Sequence, residues 1–221
     1  QHPIALYQFF RDQKVRYLQF IPIVEFLPNG EVSHRSVSGA DYGRFLTHVF
    51  GQWIKDGLGE ISIQIFEECF SVWSGAGARL CVFNESCGQA LAMEHNGDVY
   101  ACDHFVDPNY YLGNIYQNDL SQLSNSQQIL RFGQAKKEEL SQKCRECSVL
   151  FMCQGECPKN RREGTSHLCE GYGQFFRYID PYMQIFVQLI SKREPIPQIQ
   201  HYLEQVYRQQ WGSVGRNEPC P

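Results

Sequence analysis

The chain has 221 residues, of which 43% are hydrophobic and 20% charged, a composition typical of a folded globular protein. Its net charge of −4 gives no support for binding to nucleic acid or to an anionic membrane surface. No stretch approaches the roughly 18 consecutive apolar residues of a membrane span, and ten cysteines are too few for a small secreted disulfide scaffold. Metal binding in a reducing compartment is therefore the favoured role of the cysteines.

The first 75 residues predict alternating helices and strands. Residues 5–15 predict the end of a helix, and the almost continuously apolar residues 15–26 predict a strand covered on both faces, as in a parallel sheet. A second strand is predicted at residues 61–66, followed by a short helix that places Cys69 in the core. This alternation is typical of the end of a βα barrel or of an open sheet.

Between the two predicted strands, Ser38 and Asp41 predict the start of a long helix that ends at Gly57 and Gly59. The helix carries one apolar stripe at helical spacing. The residues of the stripe are Tyr42, Phe45, Leu46, Val49, Phe50, Trp53 and Ile54.

The character of the chain changes after a predicted domain boundary at residues 75–79. Asn96-Gly97 predicts a β-hairpin, with Cys102 at the end of its second strand. Short helices are predicted at residues 118–132 and 134–140. Longer helices are predicted at 175–193 and 195–210, with a break near Pro181 and another at Pro195 and Pro197.

The cysteines cluster in a pattern that predicts two metal centres. The segment 143–169 contains five of them, one more than a single four-sulfur site needs, and three more lie upstream. Together these eight divide into two sets of four, one of which combines the three upstream cysteines with a single cysteine of the downstream segment. The eight are Cys81, Cys87 and Cys102 upstream, and Cys144, Cys147, Cys153, Cys157 and Cys169 downstream.

Two metals remain open for these sets. Cys144-x2-Cys147 with Cys153 and Cys169 alone would pass as a zinc site. Interleaved sets favour iron-sulfur clusters, because a cubane needs thiolates that arrive from several loops. The basic residues around this segment form either a solvated surface or a positive environment beside an anionic cluster or substrate. These residues are Lys143, Arg145, Lys159, Arg161 and Arg162.

The motif C-x5-C-x14-C-D followed by C-x2-C-x5-C-x3-C-x11-C, with its CPKNRR ending, resembles the SPASM domain of anaerobic sulfatase-maturating enzymes. These radical SAM enzymes convert a Cys or Ser of a sulfatase to formylglycine, and the resemblance extends over about residues 17–189. It implies an α+β chain with the last βα elements of a partial radical SAM barrel in residues 1–75. A SPASM domain with a β-hairpin and cysteine-rich loops would follow in residues 80–170, and C-terminal helices in residues 171–210.

The resemblance also implies a role for each cysteine of the motif. Cys81, Cys87, Cys102 and Cys157 would hold the first auxiliary [4Fe-4S] cluster, and Cys144, Cys147, Cys153 and Cys169 the second. Asp103 would be the base that deprotonates the target residue, with a pKa raised by burial and by the negative cluster. The alternatives are that Asp103 caps a turn, and that His104 is the base or only a hydrogen-bonding residue.

The sequence departs from the family in lacking C-x3-C-x2-C, since Cys153-x3-Cys157 is followed by Asn160. We therefore expect S-adenosylmethionine and a third [4Fe-4S] cluster to bind an N-terminal part outside this chain. We expect this chain alone to be inactive. The tail, residues 211–221, resembles the opening of a SEC-C zinc motif at Cys220, and the alternative is an ordinary Gly/Pro-rich tail.

The expected partner is an unfolded or nascent sulfatase peptide, bound by a cytoplasmic monomer that contacts neither nucleic acid nor membrane. The alternatives are a SPASM maturase of another peptide and a zinc-binding structural or interaction module.

Overall fold

The structure, a computed structural model, describes residues 2–211 and divides the chain into two compact units. The first, called here the helical unit, runs to Ala78 and resumes at His167, whereas the second, the cysteine unit, is Arg79–Ser166. The chain is a mixture of helices and short strands, with no closed barrel among the described residues. Within residues 2–211, no helix combines the length and apolarity that a bilayer span requires. The Cys220 tail lies outside the described residues.

The helical unit consists mainly of helices, with one two-stranded parallel sheet. Its elements are α1 (Pro3–Asp12), β1 (Tyr17–Leu18), α2 (Gly39–Asp56), β2 (Ser62–Ile63), α3 (Gln64–Trp73), α8 (Cys169–Ser191) and α9 (Ile196–Trp211).

The cysteine unit contains a three-stranded antiparallel sheet, a two-stranded one and several short helices. Its elements are β3 (Ala92–Met93), β4 (Asp98–Tyr100), β5 (Tyr111–Asn114), α4 (Leu120–Ser124), α5 (Gln127–Glu138), α6 (Gln142–Arg145), α7 (Leu150–Cys153), β6 (Arg161–Arg162) and β7 (Thr165–Ser166).

Helix α2 forms as the sequence predicts. Ser38 caps it, since its Oγ accepts a hydrogen bond from the Asp41 backbone N–H at 3.1 Å. The apolar stripe is buried apart from the half-buried Phe45, and the Phe50 ring packs edge-to-face on Tyr182 of α8, with ring centroids 5.5 Å apart. The helix ends at Gly57.

Glycines bring α2 and α8 into backbone contact. A Cβ added to Gly43 would lie 2.6 Å from Cα of Gly171, and a Cβ on Gly171 would overlap the carbonyl of Gly39. Only residues without a side chain fit at this crossing, which therefore fixes how closely the two helices pack.

The predicted strand at residues 15–26 is wrong in length and in burial. Only Tyr17–Leu18 forms a strand, paired in parallel with Ser62–Ile63. Tyr17 is 80% exposed and Ile21 is 74% exposed. Among the described residues this strand pairs with β2 alone, and its other residue, Leu18, is half-buried. The second predicted strand is also shorter, because Ile65 and Phe66 already belong to the buried face of α3.

The predicted helix break at Pro181 is wrong, because α8 continues through it to Ser191. A proline inside a helix loses one backbone hydrogen bond, but Tyr182 and Met183 directly after it are fully buried. Packing of this face holds the helix together. The second break is confirmed, since α9 starts at Ile196 with Pro197 in its first turn.

The predicted hairpin is confirmed in the cysteine unit, with Gly97 at φ +85° in its turn and β5 as an additional third strand. The helices that follow differ from prediction. They break at Asn125, because Ser126 caps α5 through the Ile129 backbone N–H. Helix α5 then runs through Gly133, where the sequence had suggested a break.

Candidate metal centre

Four cysteines predicted to form the first set lie on four separate segments of the cysteine unit. Cys81 opens a short 3-10 turn, Cys87 lies in the loop beyond it, Cys102 follows β4, and Cys157 follows α7. The Cys157 thiol interacts electrostatically with the other three. A cubane cluster requires thiolates from several segments, and these four cysteines come from four; their binding of one cluster stays a prediction.

Burial makes three of these thiols, those of Cys87, Cys102 and Cys157, weaker acids. Burial raises the pKa of Cys102 to about 12 and that of Cys157 to about 11, and it also raises the pKa of Cys87. Since a metal ligates the thiolate, binding would release the thiol protons and would neutralise the charge that burial disfavours.

Helix α5 forms one wall of this site. A Cβ on Gly133 would lie 2.6 Å from the Cys87 carbonyl oxygen, so the helix approaches the Cys87 backbone closely. One turn later Lys136, 1% exposed, donates from Nζ to the carbonyl oxygens of Cys81 at 2.6 Å and Val82 at 3.0 Å, and to that of Asn84. Burial lowers the pKa of Lys136, whereas negative charge on the nearby thiols raises it.

Three cysteines of the second predicted set also lie in the cysteine unit. Cys144 belongs to α6, and the Cys147 N–H donates to the Cys144 carbonyl at 3.1 Å, so these two share one turn. Cys153 ends α7, and Arg161 interacts electrostatically with both Cys144 and Cys153. Cys169 is the first residue of α8 in the helical unit. Its grouping with the other three stays a prediction.

The short connection from Cys153 to Cys157 is held in an unusual conformation. Gln154, Gly155 and Glu156 have φ values of 47°, 69° and 60°, in the left-handed region that residues with side chains avoid at a cost of about 1–2 kcal/mol each. The Arg161 guanidinium stabilises this turn by donating to all three carbonyls at 2.7–2.9 Å.

A buried carboxylate completes the turn. Glu156 is 2% exposed and accepts hydrogen bonds from Asn160 Nδ2 at 2.8 Å and from Ser166 Oγ at 2.9 Å. Burial raises its pKa. The turn is therefore anchored by side chains on both sides.

Sequence reasoning missed the structural importance of Lys136, Glu156 and Arg161. Arg161 was one of five basic residues with two open interpretations, and it proves to be 7% exposed, whereas Arg162 beside it is exposed. Lys136 lies in a run of charged residues. Its spacing from Ile129, Gly133 and Leu140 is helical, and this signal could have placed it on the buried face.

Asp103, the predicted base, is exposed rather than buried, which corrects the expectation that burial raises its pKa. The Cys102 thiol donates to Asp103 Oδ1 at 3.1 Å, and this hydrogen bond is the main reason that the Asp103 pKa is lowered. The bond needs the thiol proton, which a metal-bound cysteine gives up. His104 lies on the same turn, with Nδ1 3.4 Å from Cys157 Sγ.

Comparisons with known proteins identify relatives of this chain. Residues 81–148 match the SPASM family, described as an iron-sulfur cluster-binding domain. The chain is 38% identical over 218 residues to the serine-type anaerobic sulfatase-maturating enzyme of Bacteroides thetaiotaomicron, a match that covers 88% of this chain and 53% of that enzyme. It is 31% identical over 185 residues to the cysteine-type enzyme of Clostridium novyi, covering 80% of this chain and 49% of that one.

A solved structure gives the same result. Native anSMEcpe with bound AdoMet and Cp18Cys peptide superposes with a TM-score of 0.71 at 25% identity, over 83% of this chain and 53% of that one. The chain thus spans about half the length of the curated relatives it matches. The resemblance seen in the cysteine motif is confirmed, and the chain is a homologue of the anaerobic sulfatase-maturating enzymes of the radical SAM class, with an iron-sulfur cluster-binding SPASM domain.

Proposed function

We propose that the enzyme containing this chain oxidises a Cys or Ser of an unfolded or nascent sulfatase peptide to formylglycine. In this proposal the chain holds two auxiliary [4Fe-4S] clusters, the first on Cys81, Cys87, Cys102 and Cys157, the second on Cys144, Cys147, Cys153 and Cys169. The observation that carries it is the electrostatic interaction of Cys157 with the other three thiols of the first set, beside a buried ammonium. Curated relatives of both the serine and the cysteine type support the target class.

The residues present fit an anionic cluster at the first site. Lys136 is almost fully buried, and no carboxylate of the described residues lies within ion-pair distance of its ammonium. Four thiolates around iron and sulfide would bring the negative charge that this position lacks. A cluster therefore suits both the donor atoms and the electrostatics of the site.

When bound, such clusters supply one-electron redox chemistry. The chain's own contribution would be the proton transfer. Asp103 is exposed to an incoming peptide, and ligation of Cys102 would remove the hydrogen bond that lowers the Asp103 pKa. Negative charge on the neighbouring site would raise that pKa further. Asp103 Oδ1 would then accept the proton from the Sγ or Oγ of the target residue.

The rest of the reaction would be supplied outside these residues. Since the chain has no C-x3-C-x2-C motif, we propose that it does not cleave S-adenosylmethionine by itself, and that the third [4Fe-4S] cluster binds elsewhere in the enzyme. We also propose that the enzyme is a cytoplasmic monomer.

The test of the base is Asp103→Asn in the complete, anaerobically reconstituted enzyme. We expect iron and sulfide contents to match those of the unmodified enzyme, and formylglycine formation on a sulfatase peptide to fall by about 10²–10⁴-fold, the usual contribution of general base catalysis. Asp107→Asn is the matched control, since Asp107 Oδ1 accepts from the Asn109 N–H at 2.9 Å and an amide oxygen can replace it. Unchanged product in the Asp103 variant would remove the assignment.

One observation favours a different class of function, a zinc-binding module. The ligand atoms of Cys102, Asp103 and His104 lie within 4.8 Å of one another, and His104 is close to Cys157. Zinc accepts all three ligand types. Metal analysis after anaerobic reconstitution separates the two functions, because two cubanes need about eight iron and eight sulfide per chain. The zinc-binding module would be favoured if the chain bound zinc and took up no iron, and if His104→Ala reduced the zinc content.

Another SPASM maturase would retain the clusters and differ only in its target. A sulfatase peptide and an unrelated Cys-containing peptide, offered to the same enzyme, separate these two possibilities. Formylglycine in the sulfatase peptide alone is the expected result.

A further inference from the structure

Lys136 occupies a position where lysine is rarely found. Helix α5 turns one face toward the interior of the cysteine unit, and Lys136 falls on that face with Ile129 and Gly133. Its neighbour Lys137 points outward, is exposed, and pairs with Glu85. Adjacent lysines of one helix thus have opposite environments. A solvent-facing role, which explains Lys137, does not explain the buried Lys136.

The hydrogen bonds of Lys136 are complete while its charge is not balanced. An ammonium has three N–H donors, and here three carbonyl oxygens of the turn formed by residues 81–84 accept them. Among the described residues no carboxylate forms an ion pair with it. Burying a charge without an opposite charge is unfavourable.

Among the described residues, the negative groups that act most strongly on the Lys136 ammonium are thiols. The Lys136 ammonium interacts electrostatically with Cys87, Cys81 and Cys157, three of the four proposed ligands of the first cluster. As ligands these residues would be thiolates. A cation held beside them would stabilise whichever state of the site carries more negative charge.

We propose that Lys136 is the buried counter-charge of the first auxiliary cluster and raises its reduction potential. The inference rests on the proposed first cluster. On reduction the cluster gains one electron from a chemical reductant, no bond is formed or broken, and the site becomes more negative by one charge. The fixed ammonium favours that state, because the surrounding protein screens the interaction less than water does. Lys136 touches neither substrate nor the reacting atoms, so it is a tuning residue rather than a catalytic one.

The test is a redox titration of the anaerobically reconstituted chain with dithionite and mediators, followed by electron paramagnetic resonance. Lys136→Met removes the charge and all three donors, whereas Lys136→Gln removes the charge but keeps two donors. Both should lower the reduction equilibrium constant of the first cluster by tenfold or more, which is 59 mV for a one-electron couple. The second cluster serves as internal reference, and Lys137→Met, which removes an exposed charge one residue away, should leave both potentials unchanged.

Each other outcome has a defined meaning. An unmoved first potential in Lys136→Met or in Lys136→Gln overturns the proposal. If the Met variant does not retain the first cluster, circular dichroism and thermal unfolding of the metal-free chain show whether the variant still folds. A chain that folds like the unmodified one but loses only the first cluster supports the counter-charge, whereas one that no longer folds shows a structural anchor. Failure of the unmodified chain to take up iron would instead refute the proposed cluster site itself.

Discussion

Arg161 donates from Nη1 to the main-chain carbonyl oxygen of Lys136 at 2.6 Å, and this hydrogen bond joins the two buried cations of the cysteine unit. Nε and Nη2 of the same guanidinium donate to the turn between Cys153 and Cys157. One side chain therefore ties helix α5, which lines the first predicted set of cysteines, to the loop that carries a member of each set.

Arg161→Lys should destabilise the chain although it keeps the charge. An ammonium cannot reach four carbonyls arranged around a planar fork, so several buried carbonyls lose their donor. We expect a loss of about 3 kcal/mol in the free energy of unfolding, measured by urea denaturation of the metal-free chain. Arg162→Lys, at an exposed neighbouring position, should change it by less than about 0.5 kcal/mol. Equal losses of unfolding free energy in the two variants would contradict a stabilising role for the four Arg161 hydrogen bonds.

Gly171→Ala should disrupt the crossing of α2 and α8. The new Cβ would overlap the Gly39 carbonyl, and backbone cannot move aside as a side chain can. Overpacking of this kind costs about 1–3 kcal/mol, measurable as a lower thermal unfolding temperature.

Gly173→Ala, on the same helix, is the matched control for that crossing. Its Cβ would meet only the flexible end of Arg177. Alanine is also the better helix former by about 1 kcal/mol, so this variant should be neutral or slightly stabilising. Destabilisation of equal size in both variants would mean that the crossing does not require glycine at residue 171.

Cys157→Ala should remove one cluster and leave the other. After anaerobic reconstitution we expect iron to fall from about eight to about four per chain, because only the first proposed set includes Cys157. Cys69→Ala should keep the full content, since Cys69 is buried in α3 of the helical unit. Complete loss of iron in the Cys157 variant would show that the sets are not independent, and full retention would exclude Cys157 as a ligand.

Cys69 should resist alkylation in the native chain. Burial raises its pKa well above the usual value, and a higher pKa leaves less thiolate at any given pH, which shifts the onset of reaction to higher pH. With iodoacetamide at about pH 8.5, near the ordinary thiol pKa, mass spectrometry of the metal-free chain should find Cys81 modified and Cys69 unmodified until urea is added. Equal labelling rates would show that Cys69 is accessible.

The sequence was most informative where a local rule decides the structure. Ser38 and the apolar stripe specified α2, Asn96-Gly97 specified the hairpin, and the cysteine spacing indicated the family. Where contacts between residues distant in sequence determine the local structure, the prediction from sequence was wrong or absent. Pro181 does not break α8, because packing of the next residues outweighs one lost hydrogen bond.

The buried cations show the same limit. Lys136 and Arg161 lie in runs of charged residues that look solvent-exposed, and their burial depends on carbonyls that only the folded loops bring to them. The apolar run after Leu18 is the reverse case, since its sequence predicts a buried strand but Ile21 and Ile23 are exposed and Phe20 and Val24 only half-buried.

The left-handed turn at residues 154–156 also limits how the sequence can change in length. All three of its carbonyls accept hydrogen bonds from the Arg161 guanidinium. Inserting or deleting a residue there would shift Cys157 relative to Cys153 and break these hydrogen bonds. By contrast, Gly75 and Gly77 adopt positive φ angles in open space, where extra residues meet no obstacle. Insertions and deletions among homologues should therefore accumulate near residues 75–77, while the three-residue spacing between Cys153 and Cys157 stays constant.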